Sequence, residues 1–252
     1  MIVASGCSFT ADCHSWAYNL NGSVDNLARP GMGNEYIIGS VIRRMADLSL
    51  PGVRAVVVQL SNYWRTEILS GPWDPTWERA RRSRASWAMV EDHYSIPESE
   101  LIVLRTTDRD HRWWAKLPGA KIIDGVERTI SSDQRLIRTY EAIHRLLLYV
   151  DSVGIPCRIF WGWQSCIVPP NNPALVDPVI QMIDWDRIDS QPMAEWCLTN
   201  GYAGKLEEDH INTPPRGWTD VNGVREMVGH PSPEAQSAYA QKVIQPWLNS
   251  IL

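Results

Sequence analysis

The sequence predicts an α/β fold, a three-layer sandwich on a mostly parallel sheet, and three observations predict it. Short apolar runs alternate with longer stretches whose apolar residues recur at helical spacing. The connections between them are short, so consecutive strands run parallel with a helical crossover. Each of the first three runs ends in a polar, turn-forming segment, the composition of loops that leave a buried strand. The expected organisation is one domain, 1–252, with an insertion at 63–130.

The first run, 2–4, passes into Gly6-Cys7-Ser8-Phe9-Thr10. A weaker strand at 24–28 ends in Arg29-Pro30-Gly31-Met32-Gly33-Asn34. Over 35–48, Ile37, Ile38, Val41, Ile42, Met45 and Leu48 lie on one helical face, closed by Pro51-Gly52. The third run, 54–60, carries Val56-Val57-Val58, the β-branched continuity of a strand buried on both faces. The insertion holds Trp64, Trp73, Trp77, Trp87, Trp113 and Trp114 and reads as one or two helices plus loops. A long amphipathic helix is expected at 131–153, stopped by Gly154-Ile155-Pro156, followed by a strand at 158–161 and a further strand at 179–183. Irregular stretches fall at 168–178 and 200–229. The last helix, 233–252, takes Ser232 as N-cap and Pro233 as first residue.

Composition narrows the function. With 44% apolar and 21% charged residues, the chain is neither disordered, collagen-like nor a coiled coil. It has no apolar stretch of roughly 18 residues, so no membrane span is expected. A net charge of -5 argues against a nucleic-acid partner. Five cysteines without a CxxC pair suggest neither a zinc site nor a disulfide framework, and no cofactor or metal is called for. Met1–Ala4 is too short for a signal h-region, so the expected location is cytoplasmic, or a virion if the chain is phage-encoded. The unusual number is 13 Trp against 2 Phe.

Ligands of open parallel sheets sit beyond the carboxyl ends of the strands. Three strand ends deliver Ser8, Gly31 and Asn62 there, and His230 stands just before the last helix. A serine hydroxyl becomes a nucleophile when a base such as imidazole lies within hydrogen-bond reach. The tetrahedral oxyanion it creates needs donors, and the N–H groups of Ser8 and Gly31 and the amide of Asn62 supply three. Cys7 is a competing nucleophile, but adjacent to Ser8 it reads better as a buried thiol. His14 beside Asp12 and Cys13, and His111 beside Asp108 and Asp110, lack metal-ligand spacing and read as loop residues, as does His93, while His144 falls within a helix. The basic stretch 79–84 reads as a solvated helical face.

In this order the residues resemble the SGNH (GDSL-like) hydrolase superfamily. Gly6-Cys7-Ser8-Phe9 is similar to its first block, Gly31 after Asn26-Leu27-Ala28 to its second, Asn62 after the valines to its third, and His230-Pro231-Ser232-Pro233 to its last. The resemblance spans roughly 1–62 and 220–252. It implies a flavodoxin-like sandwich with a five-stranded sheet and metal-independent esterase chemistry. Ser8 would be nucleophile, His230 general base, and Ser8, Gly31 and Asn62 the oxyanion hole. The Gly-Cys-Ser-Phe-Thr form is also similar to members from tailed phages and glycan-modification clusters, which implies an O-acetylated sugar as substrate.

Three positions depart from the family pattern: Cys7 replaces an Asp, Leu60 a Gly, and Met227 the Asp three residues before the histidine. Glu226 or Asp220 is then the candidate carboxylate orienting His230, unless a backbone carbonyl does so in a Ser-His dyad. Trp64, Trp161 and Trp163 follow strand ends and are candidate sugar platforms, because flat rings bury the apolar face of a pyranose. Trp16, Trp185, Trp196 and Trp247 read as packing residues. Three functions fit: a serine esterase acting on a small or glycan ester, a catalytically weak glycan-binding or structural component partnered with other phage proteins, and an O-acyltransferase to a sugar hydroxyl. Oligomeric state is left open.

Overall fold

The computed structural model describes residues 1–11, 13–29, 32–47, 52–63, 67–70, 102–105, 129–163, 177–202, 217–221, 224–228 and 231–251. Its centre is a five-stranded, all-parallel sheet built from β1 (Ile2–Ser5), β2 (Val24–Asn26), β3 (Ala55–Leu60), β6 (Cys157–Trp161) and β7 (Ile188–Asp189). Their spatial order is β2-β1-β3-β6-β7. The order reverses between β1 and β3, and such a switch point opens a crevice at the carboxyl ends of the two strands. Two antiparallel ribbons lie outside this sheet: β4 (Glu67–Ser70) with β5 (Ile102–Arg105), and β8 (Gly217–Val221) with β9 (Val224–Val228).

All six residues of β3 are buried, as expected of a central strand covered on both faces. Each fully buried valine among them stabilises the fold by roughly 1.5–3 kcal/mol. On β6 the alternation of side chains shows the two layers. Phe160 meets Trp16 and Tyr239 at ring-centroid distances of 5.3 and 5.1 Å, whereas Trp161 faces Tyr140. Tyr140 belongs to α3 (Ser132–Ser152), which packs against α2 (Asn34–Ala46). Beyond α5 (Met193–Thr199), Tyr239 ends α6 (Pro233–Tyr239), which continues through a π turn, Ala240–Ile244, into α7 (Gln245–Ile251).

The helix boundaries follow from local chemistry. Ser131 and Gln134 form a reciprocal capping box at the start of α3. At its other end Gly154 has φ +67°, a left-handed conformation that favours glycine. The N–H groups of Ile155 and Gly154 then reach the carbonyls of Val150 and Asp151.

Three expectations are corrected. The stretch 179–183 is not a strand, because Asp177 caps a one-turn helix, α4 (Pro178–Gln181), with Pro178 at its first position. The fifth strand is β7 instead, reached through a 3₁₀ turn at Trp185–Arg187. Within 63–130 and 200–229 the described parts include the two ribbons rather than only helices and loops. Trp185 is 44% exposed, with its ring 5.4 Å from that of Tyr140, so it is not a core residue. Among the described residues no helix is long and apolar enough to cross a membrane.

Candidate active site

Beyond β1 the chain turns at Gly6 and enters a one-turn helix, α1 (Ser8–Ala11). The Cys7 carbonyl accepts from the N–H groups of Thr10 and Ala11, both at 3.0 Å, which closes that turn. Gly6 is required here, since a Cβ would stand 2.2 Å from Thr10 Oγ1. The turn leaves two neighbouring residues differently buried. Cys7 is fully buried, its Sγ 3.5 Å from Gln59 Oε1, while Ser8 is half-buried with no hydrogen bond to its hydroxyl among the described residues. The thiol therefore belongs to the interior, and the hydroxyl is the group available at the carboxyl edge.

Behind Ser8 lies a buried polar cluster. Thr10 Oγ1 donates to Gln59 Oε1 at 2.9 Å and accepts from Trp16 Nε1 at 2.9 Å. Gln59 Nε2 donates to the Leu60 carbonyl at 2.8 Å, and Gly162 lies so close that a Cβ would meet Nε2 at 2.4 Å. Asn26 Nδ2 donates to the Thr10 carbonyl at 2.7 Å. The Ser8 turn is thus fixed to β2 on one side and to β3 on the other.

Asn62 leaves β3 at the same edge, half-buried. Its backbone is set by Asn34, the first residue of α2, which is 2% exposed. Asn34 Oδ1 accepts from the Ser61 N–H at 2.7 Å and Nδ2 donates to the Ser61 carbonyl at 3.0 Å, a two-point clamp. On the other side of β1, the Arg29 N–H donates to the Gly6 carbonyl at 3.2 Å. Gly31, between these two attachments in sequence, lies outside the described residues.

His230 also lies outside them, but the segment that follows it is described. Ser232 caps α6 by accepting from the Ala235 N–H at 3.2 Å. Four residues on, Gln236 reaches back to the Ser8 turn. Its Oε1 accepts from the Trp16 N–H at 3.0 Å and its Nε2 donates to the Phe9 carbonyl at 3.2 Å. The candidate carboxylates sit on the β8–β9 ribbon, where Asp220 pairs with Arg225 and Glu226 with Thr219. Met227, the position where an orienting Asp was sought, pairs with Trp218.

The three tryptophan candidates separate. Trp64 lies outside the described residues. Trp161 is 3% exposed with its ring edge-on to Tyr140 at 6.4 Å, so it is a core residue and offers no face to a sugar. Trp163 is half-buried, and its ring centroid is 4.0 Å from that of Phe9, the residue after Ser8.

Among the described residues no group of three His, Cys, Asp or Glu side chains is placed to hold a metal. A cavity of about 380 Å³ lies away from Ser8, lined by Pro156, Cys157, Arg158, Asp186, Arg187, Asp189 and Trp247. Burial pushes the Cys157 thiol up to about 12, with nearby Arg187 opposing the shift, so that lining holds no ready nucleophile. No family model and no curated protein matches the sequence. Thr10, Gln59, Asn34 and Gln236 were not singled out in the sequence, because neutral amides and hydroxyls form no local motif and their partners lie up to 227 residues away.

Proposed function

We propose that the chain is a serine esterase of SGNH (GDSL-like) type that removes O-acetyl groups from a carbohydrate. Ser8 Oγ attacks the acyl carbon as His230 takes its proton. The oxyanion is held by the N–H groups of Ser8 and Gly31 and by the Asn62 amide. The Ser8 N–H suits this role, since the first N–H of a helix has no partner within it. Collapse of the adduct expels the sugar oxygen, which is protonated by the imidazolium, and water then releases the acyl group by the same steps in reverse. The observation that carries the reading is the convergence of Ser8, Asn62 and the start of α6 on one sheet edge at the switch point. Trp163, beside Phe9, is the sugar platform it favours.

Turnover of p-nitrophenyl acetate tests the reading. Ser8→Ala and His230→Gln each lower kcat by about 10³-fold or more, the scale of losing a member of such a unit. Wild type and Ser8→Ala turning over equally would sink it. Trp163→Ala raises KM for an acetylated oligosaccharide about tenfold, and for p-nitrophenyl acetate by less. A second reading, glycan binding without turnover, is favoured by Met227 standing where an orienting carboxylate was sought. Retained glycan binding by an inert wild type carries that reading instead.

A further inference from the structure

We infer that Gln236 is a positioning residue, setting Ser8 against the segment that carries His230. The inference rests on the Ser-His reading of the site. Gln236 is 2% exposed, and a buried amide is tolerated only when both of its ends are hydrogen-bonded. Both are, and both partners are backbone groups. Phe9 sits in α1, and Trp16 opens the 3₁₀ turn Trp16–Asn19, whose first N–H has no partner within the turn. One side chain therefore ties the residue after Ser8, and the start of the next turn, to the fourth residue of α6. The backbone N–H of Gln236 in turn donates to the Ser232 carbonyl at 2.9 Å, two residues past His230.

This geometry does more than satisfy a buried amide. The nucleophile and its base arrive from opposite ends of the sequence, and a displacement of 1 Å between reacting groups costs about 100-fold in rate. A link from Phe9 to α6 removes one hinge between them. Gln241 and Gln245, further along the same helical run, hold the Asn19 carbonyl and the Asn21 N–H, whereas Gln236 holds the residue next to Ser8. Thr10, Gln59 and Asn26 fix the Ser8 turn to the strands, and the Ser232 cap fixes only its own helix.

The test uses the full chain with Gln236→Met, which keeps shape and loses both bonds, and Gln236→Glu, which keeps an acceptor for Trp16. Folding is checked by circular dichroism, and rates are read below each variant's unfolding range. With p-nitrophenyl acetate, Gln236→Met lowers kcat about 10- to 100-fold with KM within twofold. Gln236→Glu is similarly slow at neutral pH, where its carboxylate repels the Phe9 carbonyl. Its kcat relative to wild type rises as pH falls, because the protonated carboxyl restores the donor. Histidine-labelled NMR gives a readout that needs no turnover, with the His230 signal assigned as the one lost in His230→Gln. Ser8→Ala moves that signal, and Gln236→Met moves it likewise. If Ser8→Ala moves it and Gln236→Met leaves it and kcat unchanged, the inference is overturned while the Ser-His reading stands. If Ser8→Ala leaves it unmoved, there is no contact to position and both fall. Should Gln236→Met not fold, the acid recovery of Gln236→Glu decides the matter, its absence overturning the inference.

Discussion

The carboxyl edge of the sheet and its outer β6–β7 edge are both held by polar groups, buried at the first and half-buried at the second, and of opposite kinds. Around Ser8 the named links are neutral: Gln59 with Thr10, Asn34 with Ser61, and Gln236 with Phe9 and Trp16. At the outer edge they are charged. Arg158 binds Asp189 through Nε and Nη2, donates to the Val243 carbonyl at the π turn, and lies 5.9 Å from the Trp247 ring centroid. Amides fix loop backbone at short range without imposing a net charge, so the field at a nucleophile is left to the reacting groups. Ion pairs hold whole elements together and tolerate water at one side. A site of chemistry is favoured by the first kind of construction and a structural joint by the second.

The largest expected effect is at the carboxyl edge. Gly6→Ala forces a Cβ to within 2.2 Å of Thr10 Oγ1 and 3.0 Å of Gln59 Oε1, in a cluster with no slack. Overpacking of this kind costs about 3 kcal/mol, visible as a lower urea midpoint, and displacement of Ser8 lowers esterase kcat by about 100-fold. Asn34→Leu comes next. It strands the Ser61 N–H and carbonyl in the interior, costing about 2–3 kcal/mol, and frees the segment that delivers Asn62. If either variant keeps wild-type stability, the neutral cluster is not the rigid part of the comparison.

Much of this contrast was invisible in the sequence, for physical reasons. The strands β1 and β3 and the helices α2 and α3 were legible because apolar periodicity and helix stops are local signals, as Val56-Val57-Val58 and Gly154-Ile155-Pro156 show. The strand β7 was not, since two residues, Ile188 and Asp189, carry no period. The ribbon β8–β9 could have been found, because Val221-Asn222-Gly223-Val224 has the Asn-Gly pair that favours a two-residue hairpin turn. Ser8 and Asn62 were legible as strand-end residues, whereas Gln236 looked like any polar residue of an amphipathic helix. Burial, which only tertiary structure reveals, gives it meaning.

The outer edge yields smaller effects. Arg158→Met leaves Asp189 without its bidentate partner, at side-chain exposures of 20% and 22%. The expected loss is about 1–2 kcal/mol, with esterase kcat unchanged. The double variant Arg158→Met/Asp189→Leu recovers part of that loss, because no unpaired charge remains. A large drop in activity in either variant would erase the distinction between the two edges.

The smallest effect concerns the thiols, and it asks whether the cavity beside β6 holds hidden chemistry. Burial pushes Cys157 and Cys197 each up to about 12, and thiols titrate near 8.5 once unfolded. A raised folded value means that the unfolded chain releases these protons first. The stabilisation is therefore complete below about pH 8.5 and is lost as pH rises from there towards 12. Between pH 8 and 9 the two thiols together cost about 1 kcal/mol of stability, read as a fall in the urea midpoint. Cys157→Ala halves that slope. Iodoacetamide at pH 8 supplies the complementary measurement on the native protein. Among the described cysteines, exposed Cys13 is alkylated while buried Cys7, Cys157 and Cys197 are spared. Rapid alkylation of Cys157 would mean a thiolate at the ion-paired edge, and would give that cavity a nucleophile of its own. Its protection leaves Ser8 as the proposed nucleophile, at an edge where neutral bonds hold the backbone.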